Sequence, residues 1–267
     1  RCDYEWMPKD IEVLNRPFAP RDLVPHLKGQ RIDGTVLIQA AASVEETEYM
    51  LGLADATDSI KGVVGWINFE QPSHLHHLKR LAKHPKFKGV RPMIQDIPDV
   101  DWMLRDDVQW AYRALVDLDL TFDALGFPQH ILNFLTLAER YPDLQLVYDH
   151  CMKPQIRDAM AGEDVFSEWA AGMSRLAGET EGCCKFSALL TEADIGWSID
   201  DIRPFALHVL AAFGADRVMW GSDWPVCRVR AEYDVWFEVA EALTAHLSEE
   251  ERADIFGGTA ARFYRLA

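Results

Sequence analysis

The segment Arg217-Val-Met-Trp-Gly-Ser-Asp-Trp-Pro-Val226 holds the pattern by which the whole chain can be read. Val218-Met219-Trp220 is a short apolar run, as expected of a strand buried on both faces. Gly221, Ser222 and Asp223 follow it. Pro225 biases Trp224 away from helix, so the chain turns where the strand ends. A carboxylate at the C-terminal tip of a buried strand is poorly placed for stability and well placed for chemistry, because ligands sit at that edge of a parallel α/β sheet. A lone Asp in this position more often caps the next turn. The functional reading gains weight here because other strands end in the same way.

Upstream, apolar runs alternate with helical patterns. Strands are expected at Thr35–Gln39, Val63–Asn68, Lys86–Arg91, Leu120–Asp123, Leu144–His150, Cys183–Ser187 and Val218–Trp220. Between them, apolar residues recur at helical spacing, as in Leu75, Leu78 and Leu81. Ser43…Glu46 and Ser248…Glu251 are capping boxes, the second opening a helix through Phe256 that Gly257-Gly258 stops. Strands separated by helices imply βα units and a parallel sheet. Seven such units with short strands suit a (β/α)₈ barrel of about 250 residues, with a doubly wound sheet as the alternative. Residues 1–267 read as one domain whose first 30 residues, broken by Pro8, Pro17, Pro20 and Pro25, form an irregular arm with one short helical turn near Arg21–Leu27. Ile11-Glu-Val-Leu14 is too polar for the eighth strand. That strand is expected upstream of Arg1, where the chain begins without an initiator Met.

At 267 residues, 49% of them hydrophobic, with nine Trp and thirteen Phe, the chain can bury a large core. Its 27 Lys and Arg against 43 Asp and Glu give a formal charge of −16. Nucleic acid and anionic membrane are therefore not expected partners, since either needs a basic face. A small anionic substrate stays compatible. Five cysteines without a C-x-x-C pair read as buried thiols in a reducing, cytoplasmic compartment. No apolar run reaches the ~18 residues of a membrane span.

The expected strand tips carry Gln39, Trp66 with Asn68, Arg91, Asp123, Asp149-His150, Lys185 with Ser187, and Asp223. In a closed barrel these ends converge on one mouth. Adjacent strand residues point opposite ways, so His150 is expected to face the mouth with Asp149 as its orienter. Arg91 offers a planar fork to a carboxylate or carbonyl oxygen. Lys185, inside an apolar strand, either is buried in an ion pair or faces the mouth. His74, His76, His77 and His84 fall on or beside a surface helix and read as solvated.

Taken together, Val147-Tyr-Asp-His-Cys-Met-Lys-Pro154, Cys184-Lys-Phe-Ser-Ala-Leu189 with Thr191-Glu-Ala-Asp194, Gly221-Ser-Asp-Trp-Pro-Val226 and Gly257-Gly-Thr-Ala-Ala-Arg262 resemble the amidohydrolase superfamily. They are most similar to its amidohydrolase-2 branch of sugar-acid lactonases, those acting on L-fuconolactone and L-rhamnonolactone. Lys88-Gly-Val-Arg91 with Gln95-Asp96, and the opening Asp3-Tyr-Glu-Trp6, fit the same pattern. The resemblance implies a (β/α)₈ barrel that opens small-molecule lactones, with His150 and Asp223 as catalytic residues and metal ligands. It also implies Arg91 as a substrate contact and Lys185 in support; Trp66 and Trp224 are candidate walls of the substrate pocket. The family's first strand ends in His-x-His, whereas the one His-x-His here, His74-Leu-His76, lies on a helix. The expected cofactor is therefore one divalent ion, zinc or manganese, or no metal. A metal-dependent decarboxylase on the same fold and a non-catalytic sugar-acid binding barrel are the alternatives.

Overall fold

The computed structural model describes residues 4, 6, 7 and 11–266; Asp3 and Glu5 of the opening segment lie outside them. Seven strands form one parallel sheet: β1 Thr35–Ile38, β2 Ile60–Gly65, β3 Phe87–Val90, β4 Thr121–Ala124, β5 Gln145–Tyr148, β6 Cys183–Phe186 and β7 Val218–Trp220. Each pairs with its neighbour in sequence, in the order β1 to β7, so every connection is a βα crossover and none skips a strand. The helices are α1 Pro20–Gly29, α2 Val44–Asp55, α3 Leu75–Leu81, α4 Gln109–Asp117, α5 Ile131–Arg140, α6 Ile156–Met160, α7 Phe166–Glu179, α8 Leu189–Glu192, α9 Ile199–Phe213, α10 Tyr233–Thr244, α11 Glu249–Ala253 and α12 Thr259–Phe263.

Side-chain alternation shows that the sheet curls. Val63, Val90, Phe122, Leu146, Tyr148, Cys184, Phe186 and Val218 face outward into the layer between strands and helices. Their alternates Val64, Val147, Cys183 and Met219 meet in a separate inner cluster with Val36 and Ile38. Side chains from β2, β5 and β7 can share a cluster only if the sheet wraps around them. The result is a curled half-barrel. Among the described residues β1 pairs only with β2 and β7 only with β6, so the ring is open between them. The doubly wound alternative is excluded, because its strand order reverses and this one does not.

Several expectations are corrected in detail. β2 starts at Ile60 and ends at Gly65, three residues before its expected end, because the Trp66 amide turns to Thr47 Oγ1 at 2.9 Å. The single turn expected near Arg21–Leu27 is the ten-residue α1, which Pro20 opens and which tolerates Pro25. The helix expected through Phe256 stops at Ala253, and a wide turn over Asp254–Gly258 leads into α12. Gly89 is required by close approach, since a Cβ there would lie 2.3 Å from the Thr121 carbonyl oxygen. No helix among the described residues is long and apolar enough to cross a membrane.

The chain end closes the inner cluster. Tyr264, just after α12, packs against Val64, Val147, Cys183 and Met219 and donates its hydroxyl to Asp123 Oδ2 at 2.8 Å. Both groups are buried, so the bond is charge-assisted and shielded from water. Tyr264→Phe should lose about 1.5–3 kcal/mol in urea unfolding. A variant as stable as wild type would show that this bond does not hold the chain end in place.

Candidate active site

The inward tips of the strands carry charge. By alternation Asp123, Lys185 and Arg91 follow the inward residues of β4, β6 and β3, and Asp149 follows inward-facing Val147. Lys185 Nζ is hydrogen-bonded to Asp123 Oδ2 and lies 2.7 Å from Asp149 Oδ1. Arg91 Nη1 donates to Asp149 Oδ2 at 3.0 Å, and its Nη2 donates to the Gln39 carbonyl oxygen. Two carboxylates and two cations thus form a buried, neutral floor beneath the mouth. Burial raises the pKa of Asp123 against the pull of Lys185. Burial would raise Asp149 too, but Lys185 and Arg91 together hold it below the usual carboxylate range. Burial works against the charge on Lys185, yet Asp123 and Asp149 raise its pKa. Asp149 therefore stays ionised and fixes both cations.

Above this floor the backbone leaves the strand pattern. His150, Cys151, Met152 and Lys153 have φ of 55, 51, 56 and 48°, and Asp223 has φ 51°. Consecutive non-glycine residues in this left-handed region are strained by about 1–3 kcal/mol each, a cost found mostly at functional sites. The turn corrects the alternation argument: Asp149 faces the interior by strand parity, and His150 reaches the mouth because the chain turns. The ring is fixed by Ser187 Oγ, 2.7 Å from Nδ1, which leaves Nε2 directed at Asp223 Oδ1, 3.8 Å away. Trp236 Nε1 donates to the Gly221 carbonyl at 2.8 Å and anchors the loop that carries Asp223.

These side chains line a cavity of about 730 Å³ that runs from the mouth down between the unpaired edges of β1 and β7. His150, Asp223, Arg91, Lys185 and Trp224 all border it. Trp66 does not; its ring stands edge-on to His74 at 6.1 Å. The fork of Arg91, expected to meet substrate, is already engaged by Asp149 and Gln39. Lys185 borders the cavity only marginally, 8% exposed, with its ammonium held by the floor. Trp224 packs edge-on against Phe18 from the N-terminal segment at 5.1 Å. Lys153 and Glu192 also line the cavity, although sequence reasoning passed over them. Both lie in the quoted motifs ending in Pro154 and Asp194, but the turns that bring them to the cavity have no local sequence signal.

Burial pushes the Asp223 pKa up to about 7, against the opposing pull of Lys153 and Arg91. Burial also lowers the His150 pKa well below that of free imidazole; Asp149 opposes this, and Lys153, Arg91 and Lys185 reinforce it. Near neutral pH the site therefore holds a neutral imidazole beside a carboxyl poised to exchange its proton. As metal donors, His150 Nε2 and the Asp223 carboxylate face each other. No group of three or more His, Cys, Asp or Glu able to hold a metal occurs among the described residues. Two donors do not hold a divalent ion by themselves, so the metal expectation is not met by these residues alone. Gln39 Oε1 and Thr191 Oγ1, both on residues that border the cavity, are buried without a hydrogen-bond partner.

The sequence matches the amidohydrolase family over residues 2–266. It is 37% identical over 268 residues to the L-fucono-1,5-lactonase of Burkholderia ambifaria, a match covering 99% of this chain and 91% of that protein. It is 33% identical to the L-fucono-1,5-lactonase of Burkholderia multivorans, over 99% of this chain and 92% of the relative. A crystal structure of a Burkholderia multivorans amidohydrolase with bound zinc superposes with a TM-score of 0.93 at 32% identity, covering 100% of this chain and 95% of that one. With the curled parallel sheet and the His150–Asp223 cavity already in view, these matches identify the chain as a member of the amidohydrolase family.

Proposed function

We infer that the protein is a hydrolase that opens sugar-acid lactones, with L-fucono-1,5-lactone, the substrate named for its relatives, as the first candidate. The observation that carries the mechanism is the meeting of Asp223 and His150 in one cavity, where burial pushes the Asp223 pKa up to about 7. A general base is most effective when its pKa lies near the working pH. A lactone is an ester whose ring oxygen leaves as an alkoxide. Its hydrolysis needs a base for water, a donor at the carbonyl oxygen and a positioned ring.

In this reading the Asp223 carboxylate takes a proton from a water facing the carbonyl carbon. The water oxygen bonds to that carbon, and the carbonyl electron pair moves onto oxygen. In the metal-free site neutral His150 donates Nε2–H to the developing oxyanion while Nδ1 accepts from the Ser187 hydroxyl; with an ion bound, Nε2 would instead be a ligand and Nδ1–H would donate to Ser187 Oγ. Arg91 contributes positive potential rather than a bond, since its fork is taken by Asp149 and Gln39. Collapse of the intermediate breaks the ring C–O bond, and Asp223 returns its proton to the leaving oxygen. The product is a hydroxy acid. Lys185 supports the floor, and Trp224 forms an apolar wall beside the ring.

Two finer features complete the proposal. The gap between β1 and β7 takes an eighth strand, the one that ends in His-x-His in the family this chain resembles. Those histidines would add the donors that His150 and Asp223 lack, and a zinc or manganese ion held there would supply Lewis-acid polarisation of the carbonyl. The zinc in the Burkholderia multivorans structure supports this.

Asp223→Asn should keep the fold and lower kcat for lactone opening by at least about 100-fold, a typical loss for a general base. Acid release followed with a pH indicator, without carbon dioxide evolution, checks the reaction; a variant with most of its rate intact removes Asp223 as the base. In chelator-treated wild type, kcat/KM should rise about tenfold per pH unit toward pH 7 and then level off, as the carboxylate forms. The linkage to stability has the opposite sense. A folded-state pKa raised above the unfolded value favours the protonated native state, and that stabilisation is lost as pH rises through about 7. Chelator-treated Asp223→Asn should therefore gain stability over wild type between pH 5 and pH 8, by at most about 3 kcal/mol. A melting-temperature difference that does not change with pH would mean that the wild-type carboxyl is not perturbed.

A further inference from the structure

Lys153 and Glu192 enter the cavity on separate loops and have no part in the steps above. The left-handed turn after β5 delivers Lys153. Glu192 is the last residue of α8, which follows β6 from a left-handed Ala188 at φ 59°. Their ammonium and carboxylate lie 3.8 Å apart, too far for a good hydrogen bond, with side chains only 17% and 21% exposed. No other hydrogen bond reaches either charged group among the described residues. Burial raises the Glu192 pKa against the pull of Lys153, so the lysine alone does not offset its desolvation. Thr191, beside them on the cavity wall, has a buried hydroxyl without a partner. Phe127, 5.4 Å from the ammonium, closes the other side.

A buried ion pair this loosely joined is costly unless other groups complete it. Between them the pair offers three N–H donors and up to four lone-pair sites. Few ligand groups use both at once. A free carboxylate would be repelled by Glu192, and a plain methylene chain would leave both charges unsatisfied. Two hydroxyls on adjacent ring carbons match: one gives its hydrogen to the carboxylate, and the other accepts from the ammonium. We propose that Lys153 and Glu192, with Thr191 beside them, form the subsite that reads a vicinal diol on the ring of the substrate. This subsite makes the enzyme prefer polyhydroxylated lactones over plain ones. The proposal rests on the lactonase reading for its substrate, but not for its binding test.

Two variants test it: Glu192→Gln, and the double variant Lys153→Met with Glu192→Gln, which strands no charge. Acid release gives kcat/KM for L-fucono-1,5-lactone and for unsubstituted δ-valerolactone. Titration calorimetry with a 1,5-anhydroalditol, a ring that carries the diol without a carbonyl, gives binding independent of turnover. The ratio of the two kcat/KM values should fall at least about tenfold in both variants, and the anhydroalditol should bind at least about tenfold more weakly, as expected for one or two charge-assisted hydrogen bonds. A ratio or a polyol affinity within threefold of wild type overturns the subsite. Wild type that opens neither lactone, yet binds the polyol in a Glu192-dependent way, overturns the lactonase reading and keeps the subsite.

Discussion

The ammonium of Lys185, held between the carboxylates of Asp123 and Asp149, is the contact on which the site depends. It joins the tips of β4, β5 and β6 beneath the mouth, and Asp149 extends the link to Arg91 at the tip of β3. Tyr264 ties the chain end to the same cluster through Asp123. Removing one partner from a buried charge cluster costs far more than the intact cluster contributes, because the remaining charges are left without water or counter-ion. The floor is therefore rigid in composition as well as in geometry. Because Asp149 is fixed there, the next residue, His150, leaves the floor at a set point and reaches Ser187 and Asp223.

The functional groups stand on this floor at progressively greater cost. The backbone is strained through His150–Lys153 and again at Asp223. Burial disfavours the charged forms of His150 and Asp223, whereas the floor residues are paired charge for charge. Stability and chemistry are thus separated by depth: the paired charges below hold the strands, and the poorly satisfied groups above exchange protons or await hydrogen bonds. The Lys153–Glu192 pair belongs to the upper level, which is why it reads as a place for ligand hydroxyls rather than as a structural salt bridge.

Much of the fold was legible because its signal is local. Seven short apolar runs separated by helical patterns appear as seven parallel strands, and Asp223 and His150 stood out as polar residues where such runs end. What was not legible depends on contacts distant in sequence. Nothing near Arg91 indicates that Asp149 takes its fork, and nothing near Trp66 indicates that Thr47 ends the strand early. Lys153 and Glu192 were missed for a different reason. Four successive left-handed residues cannot be read from His-Cys-Met-Lys, which lacks the glycine that usually marks such a turn, and α8 is too short to give a periodic signal.

The dependence of the site on its buried floor is tested most directly by measuring opening of L-fucono-1,5-lactone along a urea titration of Lys185→Met beside wild type. With Asp123 left without a cation and Asp149 held by Arg91 alone, the variant should lose about 3–5 kcal/mol of stability and unfold at lower urea. Activity should already be lower than wild type before that transition begins, because Asp149 no longer fixes the approach to His150. A variant that unfolds with wild type and opens the lactone at the wild-type rate would contradict the account.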